Sequence, residues 1–192
     1  MYKNIFIVIV VFLFVGCGTV GSISSDYDST SDEMEKMANE LTDNGGVAVV
    51  GEAQEARKDL ARRSAELSGR VKIAEAIELK VSSLTKKAIE SIGQGDINNE
   101  INSAFTDAGK TSANQILKGV RTKKSKVIEN KNSFAAFALV IIDPKIVNNA
   151  IFDEIKVNKP KTYERIRTSQ LFDELKEEEK KYETKAKELN VE

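Results

Sequence analysis

Residues 133–143, SFAAFALVIID, constrain this chain more than any other segment. Phe134, Ala136, Ala138, Val140 and Ile142 alternate with Ala135, Phe137, Leu139 and Ile141. Both faces of a strand built from them are apolar, so the strand must lie at the centre of a sheet covered on both sides. Such a strand needs neighbours. Residues 46–53, GVAVVGEA, supply one, with small or apolar side chains on both faces. Residues 116–130 supply another. Val120, Thr122, Val127 and Ile128 favour a strand there, while Arg121, Lys123, Lys124 and Lys126 make it basic and half exposed. Lys131-Asn132 predicts a tight turn that joins it to the central strand as an antiparallel hairpin.

Helices fill the rest. A long one is predicted over 56–92, where Leu67, Val71, Ala74, Ile77, Val81, Leu84, Ala88 and Ile92 recur at three- and four-residue spacings. These side chains are expected to face the core, and Gly69 is expected to let another backbone approach. The same stripe would also serve as a helix-pairing seam. Gly93-Gln94-Gly95 ends the helix, and a second is predicted over 96–115 with Asp96 as its cap. Before the first strand, Met34, Met37, Ala38 and Leu41 predict a short docking helix over 32–42 with Ser31 as its cap. Asp143-Pro144 is a helix start. Lys159-Pro160-Lys161 is a break, and a final helix is expected over 162–189, apolar in its first half and a charged, solvated helix in its second. The fold class is therefore α+β: a small three-stranded antiparallel sheet packed by a long helix, with flanking helices and a charged C-terminal helix.

The N-terminus has a different character. Lys3 precedes an unbroken apolar run from Ile5 to Val15, then Gly16 and Cys17, the sole cysteine. A basic start, an apolar core and a small residue before the cut describe a secretory signal peptide over 1–16. The run is shorter than the roughly 20 residues that span a bilayer. A single unpaired cysteine is unusual in an exported protein. Phe14-Val15-Gly16-Cys17 resembles the lipobox of bacterial lipoproteins, with Phe14 where Leu is usual. That resemblance implies acylation of Cys17 and a membrane anchor, since each buried methylene adds about 0.8 kcal/mol of membrane affinity. The small polar stretch up to Ser31 is expected to be a flexible tether. The organisation is then 1–16 leader, 17–31 lipidated cysteine and tether, 32–160 α+β domain, and 161–192 C-terminal helix.

Composition removes several chemistries. There is no histidine, so the commonest metal ligand and general base are both missing. With one cysteine, catalytic triads, zinc fingers and disulfides are excluded or disfavoured. Lys+Arg number 29 against 30 Asp+Glu, a formal net charge of -1, which argues against a nucleic-acid partner. Gly109-Lys110-Thr111 lacks the glycine a phosphate loop needs, because residue 104 is Ala. Asp26, Asp28, Asp32 and Glu33 lack calcium-loop spacing. Arg57, Lys58, Arg62, Arg63 and Arg70 form a basic run that would suit anionic lipid heads or peptidoglycan, or simply a solvated face. The basic residues of 118–126 are expected to protect a sheet edge. No catalytic, cofactor or metal residue emerges.

Several segments together carry a family resemblance. Val49-Val50-Gly51-Glu52-Ala53 is followed by Ala61-Arg62-Arg63-Ser64-Ala65-Glu66, Gly69-Arg70, Ile73-Ala74, Ile77 and Val81. Later come Ile116-Leu117-Lys118-Gly119-Val120, the strand end Val140-Ile141-Ile142-Asp143, and Tyr163-Glu164-Arg165-Ile166-Arg167-Thr168-Ser169-Gln170. The pattern resembles the Lpp-twenty family of small bacterial lipoproteins, with Gly69 where Ala is usual and Phe137 where Tyr is common. The resemblance implies a dodecin-like α+β domain, often paired as a dimer. It also implies a place at the outer membrane, facing the periplasm, in structural or accessory parts of the envelope, some of them disks or rings around the flagellar motor. The expected function is structural and non-enzymatic, with Cys17 as the lipidated residue, acyl chains in the membrane, and a homo-oligomer. The alternative is a periplasmic regulator or binding module that meets a cell-wall enzyme or peptidoglycan through its charged final helix.

Overall fold

The computed structural model describes residues 25–92, 95 and 97–191. Within them nine elements follow in order: α1 (Ser25–Asp43), β1 (Val47–Glu55), α2 (Lys58–Ile92), α3 (Asn98–Lys118), β2 (Arg121–Asn130), β3 (Ser133–Ile142), α4 (Pro144–Asn158), α5 (Pro160–Arg167) and α6 (Leu171–Glu188). The three strands form one antiparallel sheet in the order β1-β3-β2, so the all-apolar β3 is central as its sequence requires. The basic strand β2 is an edge. Its pairing slips between Thr122 and Lys124, leaving Lys123 as the extra residue of a bulge.

The alternation along β3 divides the core. Ala136, Ala138, Val140 and Ile142 join residues of α2, α3, α4, α5 and the start of α6 in one cluster. Phe137, Leu139 and Ile141 join Met34, Ala38 and Leu41 of α1, together with Tyr182 and Ala186 of α6 and Val191 beyond it, in a second. The sheet is thus the middle of three layers. In the larger cluster a chain of rings ties the helices together: Phe105 of α3 to Phe152 of α4 at 5.9 Å, Phe152 to Phe172 of α6 at 4.8 Å, and Phe172 to Tyr163 of α5 at 6.1 Å.

Several boundaries differ from the sequence-based expectation. The docking helix begins at Ser25 rather than at 32, so the second half of the expected tether is helical. Its early residues are held by packing: Tyr27 meets Phe137 edge-on at 4.9 Å, and Thr30 is buried. α3 runs on through Lys118, and Ile116 is buried in the larger core, so β2 starts at Arg121 rather than at 116. The helix expected over 162–189 is two helices. Thr168 donates its hydroxyl to the carbonyls of Glu164 and Arg165, and Ser169 donates to that of Ile166 at 2.6 Å. These local bonds close α5 without a glycine or proline. The charged half of α6 is also docked, through Tyr182 and Ala186. Asp143 caps α4 as expected, accepting from the Lys145 backbone N–H at 2.8 Å, with Pro144 in the first turn. Asp96, the expected cap of α3, lies outside the described residues, and the helix enters through Ile97.

Candidate functional site

The long helix α2 meets the sheet through small residues. Ala61, Ala65, Gly69, Ile73 and Ile77 are its buried line against β1 and β3. At the crossing, Gly51 of β1 faces Gly69 with no side chain between them. A Cβ on Gly51 would fall 2.6 Å from the Gly69 Cα and would also strike the Ala65 carbonyl oxygen. This crossing fixes how α2 is turned about its axis. With Gly69 against the sheet, the residues about half a turn round the helix point away from it.

Those outward residues are apolar. Leu67 is 64% exposed and Val71 56% exposed, although both belong to the stripe expected to face the core. Leu60 is exposed on the same side. The correction has a simple cause: alanine and glycine, which weigh little on a hydropathy scale, are the residues that pack. Further along, Ile77, Leu84 and Ala88 are buried as expected, because α3 covers that part of the helix.

Beside this face runs a groove between α2 and α3. One part, about 540 Å³, is lined by Ile77, Val81, Phe105, Gly109, Ala113 and Leu117. A second, about 390 Å³, is lined by Val71, Ala74 and Val120, with Arg70 and Glu75 at the rim. Ala74, Glu78 and Leu117 border both, so the two parts are continuous. Exposed apolar side chains thus lie next to a continuous apolar groove. Arg70 and Glu78 stand exposed on the same face, and neither enters an ion pair among the described residues.

Elsewhere several charged side chains tie the helices to one another. Glu178 of α6 accepts from Lys80 of α2 at 2.9 Å and also pairs with Lys87. Lys80 reaches the Gly45 carbonyl as well, at 3.2 Å. Burial alone would raise the Glu178 carboxyl, but the hydrogen bonds and charges of Lys87 and Lys80 outweigh it and hold the group below its ordinary value. Lys124 of β2 pairs with Glu33 of α1 at 2.5 Å, and its hydrogen bond and charge lower the Glu33 carboxyl. Lys185 of α6 approaches Glu40 of α1 at 3.6 Å. A cleft of about 430 Å³ lies between the end of the sheet and α6, floored by Ile141 and Ala186 and edged by Arg121, Lys123, Tyr182 and Lys187.

The residues singled out in the sequence are scattered across this frame. Cys17 lies outside the described residues. Arg62, Arg63 and Arg70 are exposed on α2, and Arg57 pairs with Asp59 at 2.7 Å. Asp26, Asp28, Asp32 and Glu33 all lie on α1. Gly109-Lys110-Thr111 is inside α3, where no phosphate-cradling loop exists. Among the described residues no cluster of carboxylates is placed to hold a metal ion, and no helix is long and apolar enough to cross a membrane. No protein-family model, curated protein or solved structure matches the chain.

Proposed function

We propose that this chain is a lipid-anchored protein of the bacterial envelope with a structural or accessory role, acting by anchoring and self-association rather than by catalysis. The anchor is Cys17, whose thiol takes up diacylglycerol before residues 1–16 are cut away and whose new amino end is then acylated. The observation that carries the self-association is the outward face of α2, where Leu67 and Val71 stand exposed beside the α2–α3 groove, uncovered by the other described residues. A chain confined to a membrane surface meets its own copies at high effective concentration, so a modest patch is enough for assembly. The resemblance to the Lpp-twenty lipoproteins extends the proposal to the outer membrane, to the periplasmic side, and to an accessory place in a motility-associated assembly.

The test expresses the full chain in a bacterium fed labelled palmitate. The expected result is a labelled, membrane-bound protein whose label is lost in Cys17→Ser, a variant that also keeps residues 1–16 uncut, together with an oligomer on chemical cross-linking in the membrane. An unlabelled chain that stays soluble would overturn the anchor. A labelled chain that never cross-links to itself would overturn the scaffold and direct attention to a different envelope partner.

A further inference from the structure

The outward face of α2 is self-complementary about one residue. Ala74 is small, partly exposed and central to the groove. Arg70 stands one turn before it and Glu78 one turn after. Leu67 stands two turns before it, and Val81, with Gly109 and Ala113 beside it in the groove, two turns after. We infer that two copies of this chain pair through α2 laid antiparallel about a twofold axis at Ala74, so that each Leu67 enters the partner's groove at Val81 and each Arg70 meets the partner's Glu78. The inference rests on the self-association proposed above and names its surface and its register.

Three features select this occupant. The twofold places opposite charges together twice over, and an isologous contact requires that kind of self-complementarity. Ala74 at the axis lets the two helices approach closely, and the groove offers small residues, Gly109 and Ala113, where the exposed Leu67 must enter. A membrane surface fits less well. Glu78 lies in the middle of the face and would be held against anionic lipid heads, although Arg63 and Arg70 would favour them.

The test uses the mature chain from residue 17 with Cys17→Ser, so that no apolar leader or acyl group drives association and the only thiol is the reporter. Sedimentation across a concentration series is expected to give a dimer. Arg70→Glu or Glu78→Arg alone turns two attractions into two repulsions and should raise the dissociation constant about tenfold, and the double reversal should return it to within about threefold. In the same background Ala74→Cys should form a dimer disulfide under mild oxidation, because residues on a twofold axis meet their own copies at the short separation a disulfide needs. Leu79→Cys, 72% exposed but on another side of α2, should not. A chain that stays monomeric at every concentration overturns both this inference and the self-association on which it rests. A dimer indifferent to the charge reversals, and not cross-linked in the Ala74→Cys variant, overturns the register alone. A monomer that sediments with anionic vesicles through Arg70 replaces the second copy by the membrane.

Discussion

Gly51 and Gly69 lie backbone against backbone where α2 crosses β1, and a Cβ on Gly51 has no room between them. At Gly51 an added Cβ meets the Ala65 carbonyl oxygen and the Gly69 nitrogen, main-chain atoms that cannot move without shifting the helix. At Gly69 it meets chiefly the Val140 Cγ2 methyl, while the Gly51 Cα remains 3.5 Å away. Gly51→Ala is therefore expected to destabilise the fold by about 2–3 kcal/mol, the upper part of the range for overpacking. Gly69→Ala should cost less, because a helical alanine regains up to about 1 kcal/mol over glycine. Urea denaturation of the two variants, with the Gly51 variant the weaker, checks the order.

The Glu178 latch makes a pH-dependent contribution. Its carboxyl is more acidic when folded than the ordinary 4.5, so the stabilisation is fully present above that value and is lost as pH falls through the lowered folded pKa. Glu178→Gln should cost about 1.5–3 kcal/mol at neutral pH, the usual worth of hydrogen bonds to a charged group. The gap between wild type and variant should stay constant from neutrality down to about pH 5 and close below pH 4.5. Denaturation midpoints taken across that window test this, and a gap that persists unchanged at the acid end would remove the ion pairs from the account.

Much of the fold was legible because β3 could be only one thing. Its two apolar faces demanded a central position and a cover on each side, and both are present. The outward face of α2 was not legible, because periodicity locates apolar residues but not the smallest ones. Ala61, Ala65 and Gly69 carry the packing there, which leaves Leu67 and Val71 facing outward. Polar composition likewise hid the docking of α1 before residue 32 and of the charged half of α6. In each case one or two residues, Tyr27 and Thr30 or Tyr182 and Ala186, fix an otherwise polar helix to the sheet. The latch of Glu178 onto Lys80 and Lys87 was invisible in the sequence because its partners are far apart in the chain.

Tyr182 should report on the closing of the second sheet face. Burial, with the Asp143 charge adding to it, pushes its phenol from the ordinary 10.0 up to about 12. The folded state therefore holds the proton after the unfolded chain has released it. That contribution is complete below pH 10 and is lost as pH rises through about 12. In an absorbance titration one tyrosine should ionise well above the ordinary value, and Tyr182→Phe should remove that late step. The variant should also lose less stability than wild type between pH 10 and 12.

The rotation of α2 set by the two glycines makes a contrast that can be tested residue by residue. Leu67 and Ile73 are of similar size and lie less than two turns apart on one helix, yet one is 64% exposed and the other fully buried. Leu67→Ala removes little contact within the domain and should change its stability by no more than about 0.5 kcal/mol. Ile73→Ala opens a cavity in the layer between α2 and the sheet and should cost about 2–5 kcal/mol. Self-association should respond in the opposite order. Leu67→Ala weakens it with the fold intact, and Ile73→Ala affects it only so far as the protein unfolds. Denaturation and sedimentation on the same two variants separate these effects. If Leu67→Ala instead costs as much stability as Ile73→Ala, Leu67 faces the core as the hydropathy pattern alone suggested, and the outward face of α2 is not a surface for a partner.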